Sequence, residues 1–459
     1  MSRYFKKLQA LLMASALTLS LAACGSNTQT GQTTEEGTES TGTETTTETA
    51  EAATDTAEAE KVTLTMFAHY TSEDEKAGLD YAMNAMKEIM PNVEVEVEEV
   101  PRDSGAKLKT YFATSSLPDI YEVSTSDIVT AVNSNNAVQL DEYIEKLNIK
   151  DQLTPTGQSL LMQQDGHTWG IVGANTNFGV IYVNKAVFDQ VGAKIPENYE
   201  EFLAAGELLK ENDIVPLGIW LKEAWPPLQL FDMFALAESE NGIAGLDING
   251  TAKASDPAYM NAAAKIQEIS NKGLISKDAF SIDYDSAVAD FKSGKTAMLL
   301  CGNWMAKEFG DSMENVTILL PYALADASEA EAVKEAGVIS GGGFTGGFAV
   351  AQNSEHKDIA AEYAVQLALK VIEARIVLTG EFNTILVQNF ASEETPNAVV
   401  SELSDAVSKA TRSSIMGWGF EDSKIQTDLA SEVQKLFTGD YAPEDFAKNV
   451  DAVLEKNRK

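Results

Sequence analysis

Thiols are almost missing from this chain: of 459 residues only Cys24 and Cys301 are cysteines. Histidine is nearly as scarce, and its three copies fall in no ligand spacing, which argues against a structural zinc site or any other resident metal. Positive charge is also in short supply, with 34 Lys and Arg against 70 Asp and Glu and a formal net charge of −36. Phosphate backbones require concentrated Lys and Arg, so nucleic acid is excluded as a partner. The acidity reads as solubility on an exposed surface and not as recognition of a cation. No G-x-S-x-G elbow and no H-E-x-x-H helix is present. The run Gly341-Gly342-Gly343 lacks the Lys and Ser/Thr that end a phosphate-binding loop. No cofactor is implied. Beyond residue 24 no apolar run is long enough to cross a bilayer.

What is present begins with an export segment. Arg3, Lys6 and Lys7 precede an apolar run from Leu8 to Leu21, the proportions of a signal peptide. The junction Leu21-Ala22-Ala23-Cys24, followed by Gly25-Ser26, resembles the lipobox of bacterial lipoproteins. That resemblance implies cleavage after residue 23 and a lipid on Cys24, which leaves Cys301 without an intrachain partner; a plain secretory signal is the competing reading. Loss of three cations with the signal would take the formal charge from −36 to −39. Residues 24–60 are almost wholly Thr, Glu, Ala, Gly and Ser without aromatics, a composition that cannot offset its own ordering entropy. Their unpaired acids repel, so the segment reads as an extended tether.

About 400 residues follow, more than one core usually serves, and two lobes are expected. Strand-like and helix-like segments alternate. "KVTLTMFAHY" and "PNVEVEVEEV" have strand patterns around the amphipathic "EDEKAGLDYAMNAMKEIM". "DSGAKLKTYFATSS" reads as a helix with an Asp or Ser cap, and "LPDIYEVS" as a buried strand. The pattern recurs in "TAMLLCGNWM", "VTILLPYAL" and "GGFAVAQNS", which is the logic of an α/β fold.

Three longer stretches carry a family resemblance: residues 165–219, "FKSGKTAMLLCGNWMAKEF", and "GGGFTGGFAVAQNSEHKDIAAEYAVQLAL". As an ordered set they resemble the family 1, maltose-binding-protein-like extracellular solute-binding proteins of bacterial ABC importers. "GEFNTILVQNF" and "SSIMGWGF" match only loosely. The resemblance implies an α/β, two-lobed periplasmic-binding-protein-like fold of type II, with the ligand cleft between lobes and a hinge of several crossings. The expected boundaries are 1–23 signal, 24–60 linker, 61–172 plus 345–390 first lobe, and 173–344 plus 391–459 second lobe. It implies a monomeric receptor anchored on the extracellular face of the membrane. Its partners would be a small-molecule solute and ABC permease subunits.

A sugar has apolar C–H faces and a rim of hydroxyls, so it calls for aromatic platforms beside donors and acceptors. Trp304 follows a strand and Gly302; on composition a core position competes with the cleft, whereas the family's tryptophan in this motif stacks on the sugar. Trp225 beside two prolines, read as a loop, is a second platform, with Glu223 as hydroxyl acceptor, and Trp418 between two glycines a third. Trp169 and Trp220 read as structural. Asn175 and Asn177 at the first crossing offer amides that donate and accept, although Asn also favours turns. Ser124, Thr125, Ser126 and Asp127 follow a first-lobe strand, where Asp127 also qualifies as a helix N-cap. His69 and Tyr70 end the first strand, while Asp119 reads as structural. Gly342 and Gly343 would admit close backbone approach, with Phe344 as an added face.

Three functions compete: a lipid-anchored solute receptor, a surface-anchored glycoside hydrolase and a structural lipoprotein. Carboxylate pairs are too abundant to single one out for hydrolysis. The receptor alone accounts for the glycine-rich crossings and the ordered motifs together, with a sugar or oligosaccharide as the preferred solute and a polyol, polyamine or peptide as alternatives.

Overall fold

The computed structural model describes residues 61–458 except 71–72, 102–104, 165, 174–175, 314, 344–345, 382 and 393–394. Cys24, the signal, the linker, Asn175 and Phe344 lie outside the described residues.

In the first sheet, β1 (Val62–Ala68) pairs in parallel with β2 (Val93–Glu99) and with β3 (Ile120–Val123). β11 (Gly347–Val350) runs antiparallel to both β3 and β5 (His167–Val172), and β4 (Met162–Gln164) closes the far edge on β5. The alternation in VEVEVEE suits an edge position, with Val93 inward and the glutamates toward solvent. Helix Glu73–Ile89 buries Leu79, Ala82 and Met86, a stripe at helical spacing, and lies against helix Lys357–Thr379. The helix over Ala106–Thr114 departs from expectation: it starts from Gly105 at φ 76° with no side-chain cap.

The second sheet is built on β6 (Phe178–Asn184), buried at every position. β8 (Thr296–Gly302) is antiparallel on one side of it, continued by parallel β7 (Val215–Gly218). On the other side lie β9 (Val316–Leu319) and β10 (Val338–Gly341), and β10 carries the two-residue β12 (Arg412–Ser413). Continuous apolar runs such as TAMLLCG are what a strand covered on both faces requires. Helices Trp225–Glu238, Pro257–Asn271, Ser423–Leu436 and Pro443–Asn457 supply one cover, and Ala398–Lys409 packs in another cluster with Phe309 and Ile318.

Two separate cores result. One draws on residues 62–172 and 348–386, the other on residues 178–339 and 399–454. The chain passes from the first sheet to the second between Val172 and Phe178, returns between Gly341 and Gly347, and crosses once more between Leu386 and Val399. The first two crossings are bonded at their described ends, Gly173 N donating to Gly346 O at 3.2 Å and Gly342 N to Asn177 O at 2.8 Å. Gly341, Gly342 and Gly343 have φ of 92°, 102° and 68°, a run of left-handed backbone that only glycine adopts readily.

Candidate functional site

A cavity of about 1800 Å³ opens between residues of the two sheets. On the second-sheet side, Gly302 ends β8 and the chain turns through Asn303–Met305 into helix Ala306–Ser312. A Cβ on Gly302 would fall 1.8 Å from the Trp304 ring, so the indole occupies the space that a side chain at 302 would need. Asn303 is buried and anchors this turn to the first crossing. Its Oδ1 accepts from Phe178 N at 2.8 Å and its Nδ2 donates to Thr176 O at 3.4 Å.

Trp225 is the first residue of helix Trp225–Glu238, not part of a loop as the sequence suggested. Pro226 and Pro227 fit there because the first helical turn has no use for their missing N–H groups. Trp225 Nε1 donates to Glu223 Oε2 at 3.0 Å. Trp418 enters from the C-terminal segment, where Gly417 is held from both ends: its N donates to Gln229 Oε1 at 3.0 Å and its O accepts from Gln426 Nε2 at 3.0 Å.

These elements bring four tryptophans and a tyrosine into one edge-to-face assembly. Trp225 lies 5.6 Å from Trp304, 5.1 Å from Trp418 and 5.2 Å from Trp220, measured between ring centroids. Trp304 and Trp418 are 5.8 Å apart, and Tyr284 closes on Trp220 at 5.2 Å. Trp220 is fully buried and forms the base, whereas Trp304, Trp418, Tyr284 and Glu223 reach the cavity wall. Burial holds the Tyr284 phenol far above its ordinary value, so it stays a hydrogen-bond donor.

The opposite wall sets polar side chains among apolar ones such as Phe67, Val100, Leu108 and Val371. His69 donates its backbone N to Glu122 Oε2 at 3.0 Å, and its ring Nδ1 pairs with the same oxygen. Ser124 is the N-cap of helix Thr125–Asn133 and Asp127 its third residue, a reciprocal capping box. Asp127 is therefore not the cap itself; its Oδ2 accepts from Ser124 N at 3.0 Å and from Ser124 Oγ at 2.6 Å. Asn177 and Gly173 line the hinge end of the wall.

Of the residues named from sequence, His69, Ser124, Asp127, Asn177, Glu223, Trp304 and Trp418 border the cavity. Trp225 stands behind Trp304 and Trp418. Tyr70, Ser126, Gly342 and Gly343 do not border it. The Tyr70 hydroxyl donates to Asp80 at 2.7 Å under the Lys76 ammonium, and the glycines shape the crossing instead of facing the space. Asp119 ties β1 to the segment after β11, accepting from Thr65 N at 2.7 Å and Ser354 Oγ at 2.6 Å. Sequence reasoning did not find Tyr284, Glu122, Asn303 or Arg375. Tyr284 had a traceable signal, an aromatic directly after the N-cap Asp283; the others had none within their own segments.

Cys301 is buried in β8, and burial pushes its thiol up to about 12, out of reach of nucleophilic use. Among the described residues no three His, Cys, Asp or Glu side chains gather as a metal site, and no helix is long and apolar enough to cross a membrane.

The model of the bacterial extracellular solute-binding protein family matches residues 70–368. An uncharacterised ABC transporter extracellular-binding protein of Pyrococcus horikoshii is 24% identical over 52% of this chain and 55% of its own length. The multiple sugar-binding protein of Streptococcus mutans is 22% identical over 53% of this chain and 58% of its own. This chain thus spans little more than half the length of those relatives. A solved structure from work on xylan utilisation by Caldanaerobius polysaccharolyticus superposes with a TM-score of 0.72 at 23% identity, covering 85% of this chain and all of that one. The fold is that of the two-lobed receptors.

Proposed function

The chain belongs to the bacterial extracellular solute-binding protein family, a family of receptors and not of enzymes, and on that premise we propose that it captures a neutral sugar oligomer between its two lobes. It holds the solute for a membrane permease while tethered by a lipid on Cys24. The observation that carries the reading is the aromatic corner of Trp304, Trp418 and Tyr284 opposite a hydrogen-bonding wall. Ring faces accept the C–H face of a pyranose, and the wall meets its hydroxyls. Sugar-binding names among the relatives agree with this chemistry.

Cleft length favours an oligomer. Helix Ala306–Ser312 continues along the wall beyond Trp304, adding roughly 10 Å at about 1.5 Å per residue. A volume of about 1800 Å³ exceeds the range of about 300–1,000 Å³ usual for single small ligands.

Thermal-shift and calorimetric titration against neutral mono- to tetrasaccharides, polyols, spermidine and tripeptides tests the reading. Heat from tri- and tetrasaccharides without turnover supports it; a response confined to spermidine or to peptides refutes it. For the anchor, Cys24→Ser is expected to move the protein from the membrane fraction to the medium, and retention on membranes would remove Cys24 as the attachment point.

A further inference from the structure

Gln229 and Asp232 lie one turn apart on helix Trp225–Glu238 and are both completely buried. Buried polar side chains persist where partners satisfy them, and here the partners form one continuous chain. Gln229 Oε1 accepts from Gly417 N at 3.0 Å, while its Nε2 donates to Ser340 Oγ at 2.7 Å. Ser340 Oγ in turn donates to Asp232 Oδ2 at 2.6 Å. That oxygen also accepts from Gly341 N at 3.3 Å, and Oδ1 accepts from Ile243 N at 2.7 Å.

The two ends of this chain have different errands. One end grips the residue before Trp418; the other grips the last residue of β10, from which the polypeptide leaves for the opposite sheet. Only an amide suits position 229, because it has to accept from Gly417 and donate to Ser340 at once. Its stem is fixed as well: a Cβ on Gly179 would come within 2.4 Å of Gln229 Cγ, so the side chain lies directly on the central strand.

We propose that Gln229, acting through Ser340 and Asp232, is a positioning residue that locks the Trp418 loop to the glycine crossing. The ring's orientation and the hinge's starting point are then set by one buried bridge. The proposal rests on the reading of Trp418 as part of the sugar platform.

The test uses the full chain labelled with 5-fluorotryptophan, without ligand, the Trp418 fluorine resonance being assigned by its loss in Trp418→Phe. Gln229→Leu is expected to shift or broaden that resonance by more than its linewidth while leaving Trp169, in the first sheet, unmoved. Ser340→Ala should act in the same direction with smaller effect. If Gln229→Leu perturbs all five resonances through unfolding, Ser340→Ala decides. A Trp418 signal unchanged in the variants that fold overturns the proposal. In calorimetry with the neutral tri- and tetrasaccharides, Gln229→Leu should weaken binding about tenfold, and no further in a Trp418→Ala background. Multiplying effects would also overturn it. Absence of any saccharide binding by the wild type would count against the sugar reading, while the fluorine spectra would still judge the bridge.

Discussion

Trp304 carries the largest share of the expected contact, because its indole is the member of the assembly that borders the cavity at a strand end. Trp304→Ala removes that partly buried ring while fully buried Trp220 stays in place beneath Trp225. Loss of at least about 100-fold in saccharide affinity is expected, with a melting temperature close to wild type. Unchanged affinity would take Trp304 out of the site. Asp232 offers a second residue-scale test. Burial pushes its carboxyl up to about 6, against the hydrogen bonds from Ser340, Ile243 and Gly341 that pull it down. A folded value above the unfolded one means that the folded state holds its proton longer. The contribution to stability is therefore full below about pH 4 and is lost as pH rises toward about 6, on the order of 3 kcal/mol in all. Urea denaturation at pH 4 and pH 7 should show wild type losing that much relative to Asp232→Asn over the interval. A pH-independent difference between the two would contradict the assignment.

Elements that repeat one physical signal were legible in the sequence, and those defined by a partner far along the chain were not. β1, β2 and helix Glu73–Ile89 follow from period-two and period-3.6 burial, and β8 from a continuous apolar run before Gly302. Trp225 misled because a Trp-Pro-Pro sequence suits a loop and a helix start equally well, and only packing against Trp418 and Trp304 selects the latter. Asp127 misled in the same way, its role in the box being fixed by Ser124. Arg375 and Glu122 border the cavity because separate elements meet there, which no local pattern reports. Gly342 and Gly343 were legible as points of unusual backbone but not as points outside the cavity. At this scale Gly341→Ala is the informative change. Its φ is 92°, and an added Cβ would lie 2.7 Å from Met416 Sδ and 2.9 Å from Phe178 Cα. A loss of about 1–3 kcal/mol is expected, read as a lowered urea midpoint with an unchanged slope. A midpoint equal to wild type would show that the crossing tolerates a side chain there.

Each half keeps its own buried clusters, and two glycine-rich crossings and a third link between Leu386 and Val399 join them, so the halves are expected to change angle without disturbing either interior. The aromatic corner belongs to one half and His69, Glu122, Ser124 and Asp127 to the other, so a solute that touches both would bind the closed state better than the open one. That difference in affinity between open and closed states drives the population toward closure. Small-angle scattering should therefore show a smaller radius of gyration at saturating trisaccharide, in parallel with a thermal stabilisation of about 2.7 kcal/mol at a hundredfold excess over Kd. Trp304→Ala at the same trisaccharide concentration should be at most about half occupied and compact correspondingly less, because the ligand then lacks the contact that rewards the closed state. Gly341→Ala, in contrast, should close if it folds, since its side chain adds strain on the held side of the crossing. Compaction of the Trp304 variant equal to wild type would mean that closure is driven by contacts elsewhere along the cleft, and the aromatic corner would lose its place in the mechanism.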